Sequence, residues 1–178
     1  RYSARFATTS GWSPSRLLFT VAIITGLAGT AVPEVLGLGT GPLAHMLEGG
    51  FDIEFLAILL VLKLLLTALC IGFGMFGGVF SPALFVGAAA GAICGRIIAS
   101  LGIIGATPTL AICGMAAVAS AVIGAPVSGV VIILEMTMSY EFALAAMLSI
   151  VVAIMVSNLL FGHSFFDRQL LDRGIDVA

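Results

Sequence analysis

Long apolar stretches alternate with short polar or Gly/Pro-rich breaks along most of the chain. No charged residue lies between positions 64 and 95 or between 97 and 134. A helix needs about 20 apolar residues to cross a membrane. Residues 55–76, 79–100 and 142–161 meet that length, whereas 109–124 and 126–137 look too short to cross. Further helices are expected at 17–32, at 42–48 and in the tail from His163.

The composition agrees with a membrane protein. Hydrophobic residues make up 61% of the 178 positions, charged residues 9%, and the mean hydropathy is +1.24. Soluble domains contain about 25% charged residues. The apolar runs lack the period-two alternation of strands, and an open sheet cannot span lipid because its edge groups stay unsatisfied. We therefore expect an all-α integral membrane fold of tilted, unequal and broken helices.

Charge and side-chain chemistry exclude several classes of function. The chain has 7 Lys and Arg, 9 Asp and Glu and a net charge of −2, which leaves no basic face for nucleic acid. Its three cysteines lie alone in apolar runs, and His45 and His163 have no ligand partners at useful spacing, so no metal or cofactor is expected. An intramembrane protease is the enzyme class to weigh. Its Gly-x-Ser-x-Gly motif and its paired aspartates are missing, so no enzymatic activity is expected.

The segment from Gly77 to Pro82 is the densest candidate site. Gly77 and Gly78 end one apolar run, and Pro82 lies where a helix would begin, since proline is favoured in the first turn. A helix N-terminus inside an apolar region has free N–H groups and a positive dipole end, which together bind anions without a cationic side chain. The alternative is a loop whose glycines serve tight packing only.

Small residues recur along the helix that follows this segment. Gly87, Gly91 and Gly95 form Gly-x-x-x-Gly-x-x-x-Gly and line one helix face. Such a face lets another helix approach closely. We expect these three glycines to act in helix packing.

Four charged residues lie between the polar ends of the chain, and two of them, Lys63 and Glu135, could act in transport. Ionisable residues within a membrane are functional candidates. Glu135 lies close to the end of a predicted helix, so a place at the membrane interface is an equal alternative. Lys63 could snorkel toward the interface or pair with another group.

Several motifs, in order, resemble the family of CLC chloride channels and chloride/proton antiporters. Gly78-Val79-Phe80-Ser81-Pro82 resembles the G-x-F-x-P anion-binding motif of that family. The other similar segments are Pro33–Gly39, which matches a P-x-x-x-G-x-G turn, Lys63–Ala68, Ala125–Gly129 followed by Leu134–Thr137, and His163–Asp167 at the last short helix. The similarity covers nearly the whole chain.

The resemblance implies that residues 1–178 are the second half of an inverted-repeat transport domain. The backbone amides of Val79 and Phe80 match the positions that face the central anion, with Gly77, Gly78, Ser81 and Pro82 shaping the turn. The family often supplies a tyrosine from the last helix, and Phe166 stands at that position. The implied partners are chloride or a similar anion, protons, the lipid bilayer, the first half of the same transporter and a second copy in a homodimer.

Other properties stay open at this level. The serine contact and the gating glutamate of the family belong to the first half, so channel and antiporter are both possible, as are different anion selectivities and voltage dependences. The alternative function is a non-transporting membrane scaffold or degenerate half-transporter. The chain begins with Arg1 rather than Met and shows no signal-peptide pattern, so we expect a processed piece or a fragment of a longer protein, without the first half and without a C-terminal regulatory domain. Arginines near both ends predict cytoplasmic termini. The expected setting is a bacterial-type inner or plasma membrane.

Overall fold

The computed structural model describes residues 14–37, 39–73, 78–103 and 105–162. These ranges form seven α-helices and one short 3-10 helix, and none of their residues belongs to a strand. In chain order the elements are α1 (Pro14–Ala31), the 3-10 helix Pro33–Val35, α2 (Thr40–Leu47), α3 (Ile53–Gly72), α4 (Phe80–Ser100), α5 (Ala106–Ile123), α6 (Pro126–Thr137) and α7 (Tyr140–Phe161). The prediction of unequal helices is confirmed, with 8 residues in α2 and 22 in α7. The predicted tail helix from His163 lies outside the described residues.

Four helices, α3, α4, α5 and α7, are long and apolar enough to cross a membrane. For α5 this corrects the expectation from sequence, which begins the helix at Thr109 and makes it too short. The helix begins at Ala106 and has 18 residues. Pro108 lies in its first turn, where a backbone N–H would have no intrahelical partner in any case, so the proline is tolerated there.

The break predicted between α5 and α6 is confirmed. Gly124 ends α5 in the left-handed conformation, with φ 78°, a region that glycine enters without steric cost. Pro126 is the first residue of α6, where its fixed φ suits the start of a helix. The two helices are therefore separate elements joined by a two-residue link.

Helix α4 packs against α2, α3 and α5. Its buried side chains include Phe85, Ala88, Ala89 and Ala92, which belong to the main hydrophobic core. Most of these side chains are small, so the neighbouring helices come close to the α4 backbone. This packing fixes the first turn of α4 relative to the neighbouring helices.

The closest helix contact is between α4 and α5. Gly87 faces the carbonyl oxygen of Gly114, Gly91 faces that of Leu110, and Gly95 faces the Cα atom of Thr107. A methyl group at any of the three glycines would overlap those backbone atoms. Because the neighbours are backbone rather than flexible side chains, the glycine face of α4 has no room for a larger residue.

The crossing helices also carry apolar surface that the described residues do not cover. Helix α7 buries Ala143, Ala146 and Ile150 on one face, while Leu148 and Leu159 are 73% and 79% exposed. Helix α3 likewise exposes large apolar side chains along one side. Lipid tails are as apolar as leucine, so such faces suit a bilayer or another helix.

Candidate anion site

The first turn of α4 presents backbone donors that the helix itself does not use. Val79 precedes the helix as its N-cap, and no side chain caps this end. The first hydrogen bond of the helix joins the Ala83 N–H to the Val79 oxygen at 3.1 Å. The N–H groups of Val79 and Phe80 come before that bond, so the helical ladder leaves them available. The positive end of the helix dipole lies at the same place.

A cavity opens on one side of this turn. It has a volume of about 180 Å³ and is lined by Val35, Gly37, Lys63, Cys70, Gly78 and Pro82, among others. We call it the Lys63 cavity, because Lys63 is the one charged residue among the described residues that line it. The space is large enough for several water molecules or for an ion with part of its hydration shell.

A second cavity lies against the same turn. It has a volume of about 140 Å³, and its lining includes Val79, Val86, Val118 and Val122, so we call it the valine cavity. Pro82 lines both cavities. The first turn of α4 thus stands between a cavity with a cation in its wall and a cavity with apolar walls.

Gly78 differs from the glycines of the α4–α5 interface. It is exposed, and a methyl group built on it meets no atom within 4 Å among the described residues. No left-handed backbone conformation requires glycine there either. Within the described residues, the glycine at 78 therefore keeps the space in front of α4 open and serves no packing contact.

Lys63 is buried beside this turn, with 4% of its surface exposed. Its Nζ donates hydrogen bonds to the backbone oxygens of Val35 at 2.7 Å and Gly37 at 3.0 Å. The ammonium also lies 4.9 Å from the centroid of the Phe85 ring. The alternative in which Lys63 snorkels to an interface is therefore wrong, because its charge points into the protein and pairs with carbonyl groups.

Near its opposite end, α4 carries a second cation, the half-buried Arg96. Arg96 Nη2 donates to the backbone oxygens of Gly49 at 2.9 Å and Phe51 at 2.5 Å. These bonds attach the end of α4 to the link between α2 and α3. Glu135 is exposed near the end of α6 and lines neither cavity, so its interfacial placement is the alternative that its exposure favours.

The structure brings together part of the site predicted from sequence. Gly78, Val79, Phe80, Ser81 and Pro82 form the start of α4 as expected. Gly77 and Phe166 lie outside the described residues. Among the described residues, no three His, Cys, Asp or Glu side chains group in a way that could hold a metal ion.

Sequence reasoning missed the partners of Lys63. They are backbone oxygens of the turn at 35–37, which lies 26 to 28 positions earlier in the chain. The signal available in the sequence was the pair of motifs itself, a glycine-rich turn followed by a lone lysine inside an apolar helix. A buried cation needs polar partners, and such a turn offers free carbonyl groups.

Comparison with known proteins gives consistent matches. The family described as "Voltage gated chloride channel" matches residues 2–158. The H(+)/Cl(-) exchange transporter ClcA of Vibrio campbellii is 34% identical over 165 residues, covering 89% of this chain and 35% of the relative. A putative chloride channel protein, ClcB-like, of Ralstonia nicotianae is 34% identical over 83% of this chain and 35% of the relative. The chain thus spans about a third of the length of these curated relatives.

A solved structure supports the same fold. The crystal structure of a slow cyanobacterial Cl−/H+ antiporter aligns with a TM-score of 0.63 and 28% sequence identity. The alignment covers 70% of this chain and 29% of the antiporter chain. The all-helical arrangement described above is therefore that of one part of a larger membrane transport protein's fold.

Proposed function

Because the chain belongs to the voltage-gated chloride channel (CLC) family, we propose that it contributes to the transport of chloride across a membrane and that the first turn of α4 holds the anion. The single observation that carries this proposal is the position of that turn. A helix N-terminus whose first amides the helix does not use is half-buried and lines two cavities. No side chain of the described residues blocks the space in front of Gly78.

The amides of Val79 and Phe80 are the proposed anion ligands. A helix N-terminus carries the equivalent of about half a positive charge, concentrated on its free N–H groups. That partial charge attracts a halide, while the apolar walls of the valine cavity provide no competing acceptor. An ion held by partial charges also leaves more easily than one bound to a free, buried ammonium group, and conduction needs both entry and exit.

The remaining parts of the pathway are proposed to come from outside the described residues. Residues 1–178 would form the second half of the transport domain, with Phe166 presenting the positive edge of its ring in place of a hydroxyl donor. A first half would supply the serine contact and the gating glutamate, which together with an inner proton-transfer residue separates antiport from channel behaviour. Two such subunits would form a homodimer, with lipid against the exposed faces of α3 and α7.

The proposed setting is a bacterial inner or plasma membrane with the C-terminus in the cytoplasm. Arg1, Arg5 and Arg16 lie close to one end of the chain, and Arg168 and Arg173 to the other. An excess of Arg and Lys next to membrane segments favours the cytoplasmic side. Accessibility of a C-terminal tag in sealed vesicles tests this orientation.

Chloride efflux from liposomes tests the proposed site. The protein to use is the longest native polypeptide that contains this chain, called the full-length protein below. Gly78→Leu fills the open space in front of α4, so we expect chloride flux to fall about tenfold or more, which corresponds to a rise of about 1.4 kcal/mol in the barrier to anion passage. The matched control is Gly26→Leu, since Gly26 is also exposed and has no atom within 4 Å of a built methyl group.

The outcomes separate the possible functions. Reduced flux in Gly78→Leu with normal flux in Gly26→Leu supports the site, and a proton readout in the same vesicles separates antiporter from channel. Native flux in an assembled Gly78→Leu protein would place the anion elsewhere. If the full-length protein carries no chloride flux although its helices are intact in the membrane, the alternative function, a non-transporting membrane scaffold, is favoured.

A further inference from the structure

Lys63 connects three segments that surround the Lys63 cavity. It belongs to α3, its Nζ donates to the oxygens of Val35 and Gly37, and its charge faces the ring of Phe85 in α4. One side chain thus joins a helix, a turn and a second helix. The arrangement suggests a role in holding the cavity walls.

The donors of the ammonium group are largely in use. An ammonium has three N–H groups. Two of them are engaged by carbonyl oxygens at 2.7 and 3.0 Å, and the Phe85 ring covers a further side at 4.9 Å. These contacts offset part of the cost of burying the charge. A chloride ion would have to displace one of them to bind Nζ directly.

The turn held by Lys63 also contacts α4 through Phe85. Gly39 follows the turn with φ 72°, and a methyl group built on it would lie 2.7 Å from Cδ2 of Phe85. Phe85 lies five positions after Phe80, about 7.5 Å along the helix axis. The turn is therefore fixed at two places, by Lys63 and by the Phe85 ring, close to the proposed anion site.

These contacts set the separation of the two cavity walls. Val35, Gly37 and Lys63 line the Lys63 cavity together with Gly78 and Pro82, which belong to the start of α4. If the turn moved away from α3, the cavity would widen at the first turn of α4. The anion at that turn would then meet a differently shaped wall.

We propose that Lys63 is a positioning residue, which fixes the turn at 35–37 opposite the first turn of α4 through its hydrogen-bond donors and so sets the width of the Lys63 cavity. The proposal rests on the function proposed above for α4. It differs from an anion-ligand role in a measurable way. A positioning role depends on donors at position 63, whereas a ligand role depends on positive charge there.

Three variants of the full-length protein separate donors from charge. Lys63→Arg keeps both, Lys63→Gln keeps donors without charge, and Lys63→Met keeps neither. The readouts are the chloride concentration at half-maximal flux and the ratio of chloride to iodide flux. A wider cavity discriminates less between a small and a large halide, whereas loss of charge weakens both halides by a similar factor.

The positioning role predicts a graded series. In Lys63→Met the half-saturating chloride concentration is expected to rise about tenfold, a change of about 1.4 kcal/mol, because both hydrogen bonds that hold the turn are lost. The chloride-to-iodide ratio should fall about threefold in the same variant, a change of about 0.7 kcal/mol between the two ions. Lys63→Arg and Lys63→Gln should stay within about threefold of the native half-saturation and keep the native halide ratio.

The matched control is Arg96→Met. Arg96 also donates to two backbone oxygens, but at the opposite end of α4. If Lys63→Met acted only by loosening the fold, Arg96→Met would change the halide ratio as well. We expect Arg96→Met to lower the thermal unfolding midpoint and to leave that ratio unchanged.

Two results would overturn the positioning role while leaving the anion site at α4 intact. One is a Lys63→Gln protein whose half-saturating concentration is about tenfold higher for every halide, because the positive charge would then be the property that matters. The other is an unchanged halide ratio in Lys63→Met. If Lys63→Met does not assemble, the half-saturation of Lys63→Gln decides. Failure of the α4 site itself is recognised separately, by native flux in Gly78→Leu.

Discussion

Two groups of glycines on and beside α4 have opposite surroundings. Gly87, Gly91 and Gly95 face the backbone of α5, and a methyl group on any of them would overlap it. Gly78, just before the helix, has no atom within 4 Å of a built methyl group. The same residue type therefore excludes a side chain for close packing in one place and leaves space open in the other.

The difference shows that α4 is tightly packed along its middle and open at its N-terminus. Close packing of α4 on α5 contributes to stability and has no room for a ligand. The open end contributes little to stability and has room for an ion. Substitutions that act on stability and on transport should therefore separate along the length of α4, and a series of small additions can test the separation.

The largest effect on stability is expected from Gly91→Ala. Its methyl group would overlap the Leu110 oxygen, a backbone atom that cannot turn away. Overpacking of this kind costs about 1–3 kcal/mol and more when the backbone must move. Thermal unfolding of the full-length protein in detergent, at constant chloride, measures it. An unfolding midpoint equal to that of a Gly26→Ala control would contradict the close α4–α5 contact.

An intermediate effect is expected from Gly39→Ala. Residue 39 has φ 72°, where a non-glycine residue costs about 1–2 kcal/mol. The added methyl group would also press on the buried Phe85 ring, which can shift slightly whereas backbone cannot. The unfolding midpoint should therefore fall by less than in Gly91→Ala.

A matched control for Gly39→Ala is available in the neighbouring helix. Gly41 has ordinary backbone geometry and open space around a built methyl group, so Gly41→Ala should leave the midpoint near its native value. If both alanine variants unfold at the same temperature, neither the left-handed geometry at position 39 nor its contact with Phe85 limits stability.

The smallest effect on stability is expected from Gly78→Ala. Substitutions away from packing contacts usually change the free energy of unfolding by less than about 0.5 kcal/mol. Chloride-dependent stabilisation is the informative readout, since a ligand that binds the folded state raises its stability in proportion to its affinity. We expect the native midpoint without chloride and a smaller chloride-induced rise. A midpoint lowered as far as in Gly91→Ala would assign Gly78 to packing instead.

The helices could be predicted from sequence where apolar length alone decides. Helices α4 and α7 agree with their predicted segments to within two residues, because each is a long apolar run with clear breaks at its ends. The start of α5 could not be predicted in the same way. In the sequence, Pro108 suggests that a helix begins only after it. In the structure, the proline lies in the first turn of α5, where it is tolerated.

The candidate site could be predicted only in part. The start of α4 follows from local features, two glycines and a proline at the right spacing. The surroundings do not follow, because they depend on contacts between distant segments. Lys63 meets Val35 and Gly37 only once α3 has packed against the turn, and spacing alone cannot tell that Gly78 is open while Gly87 is enclosed.

The contact between α4 and α5 has a mechanical consequence. Two helices that touch through backbone atoms at three successive turns cannot slide or rotate past one another without separating first. The start of α4 is therefore a stationary support within this part of the protein. If the first turn of α4 holds the anion as proposed, the amides of Val79 and Phe80 keep their position, and any motion that opens or closes the path of the ion must come from the segments around that turn, such as the turn bound by Lys63.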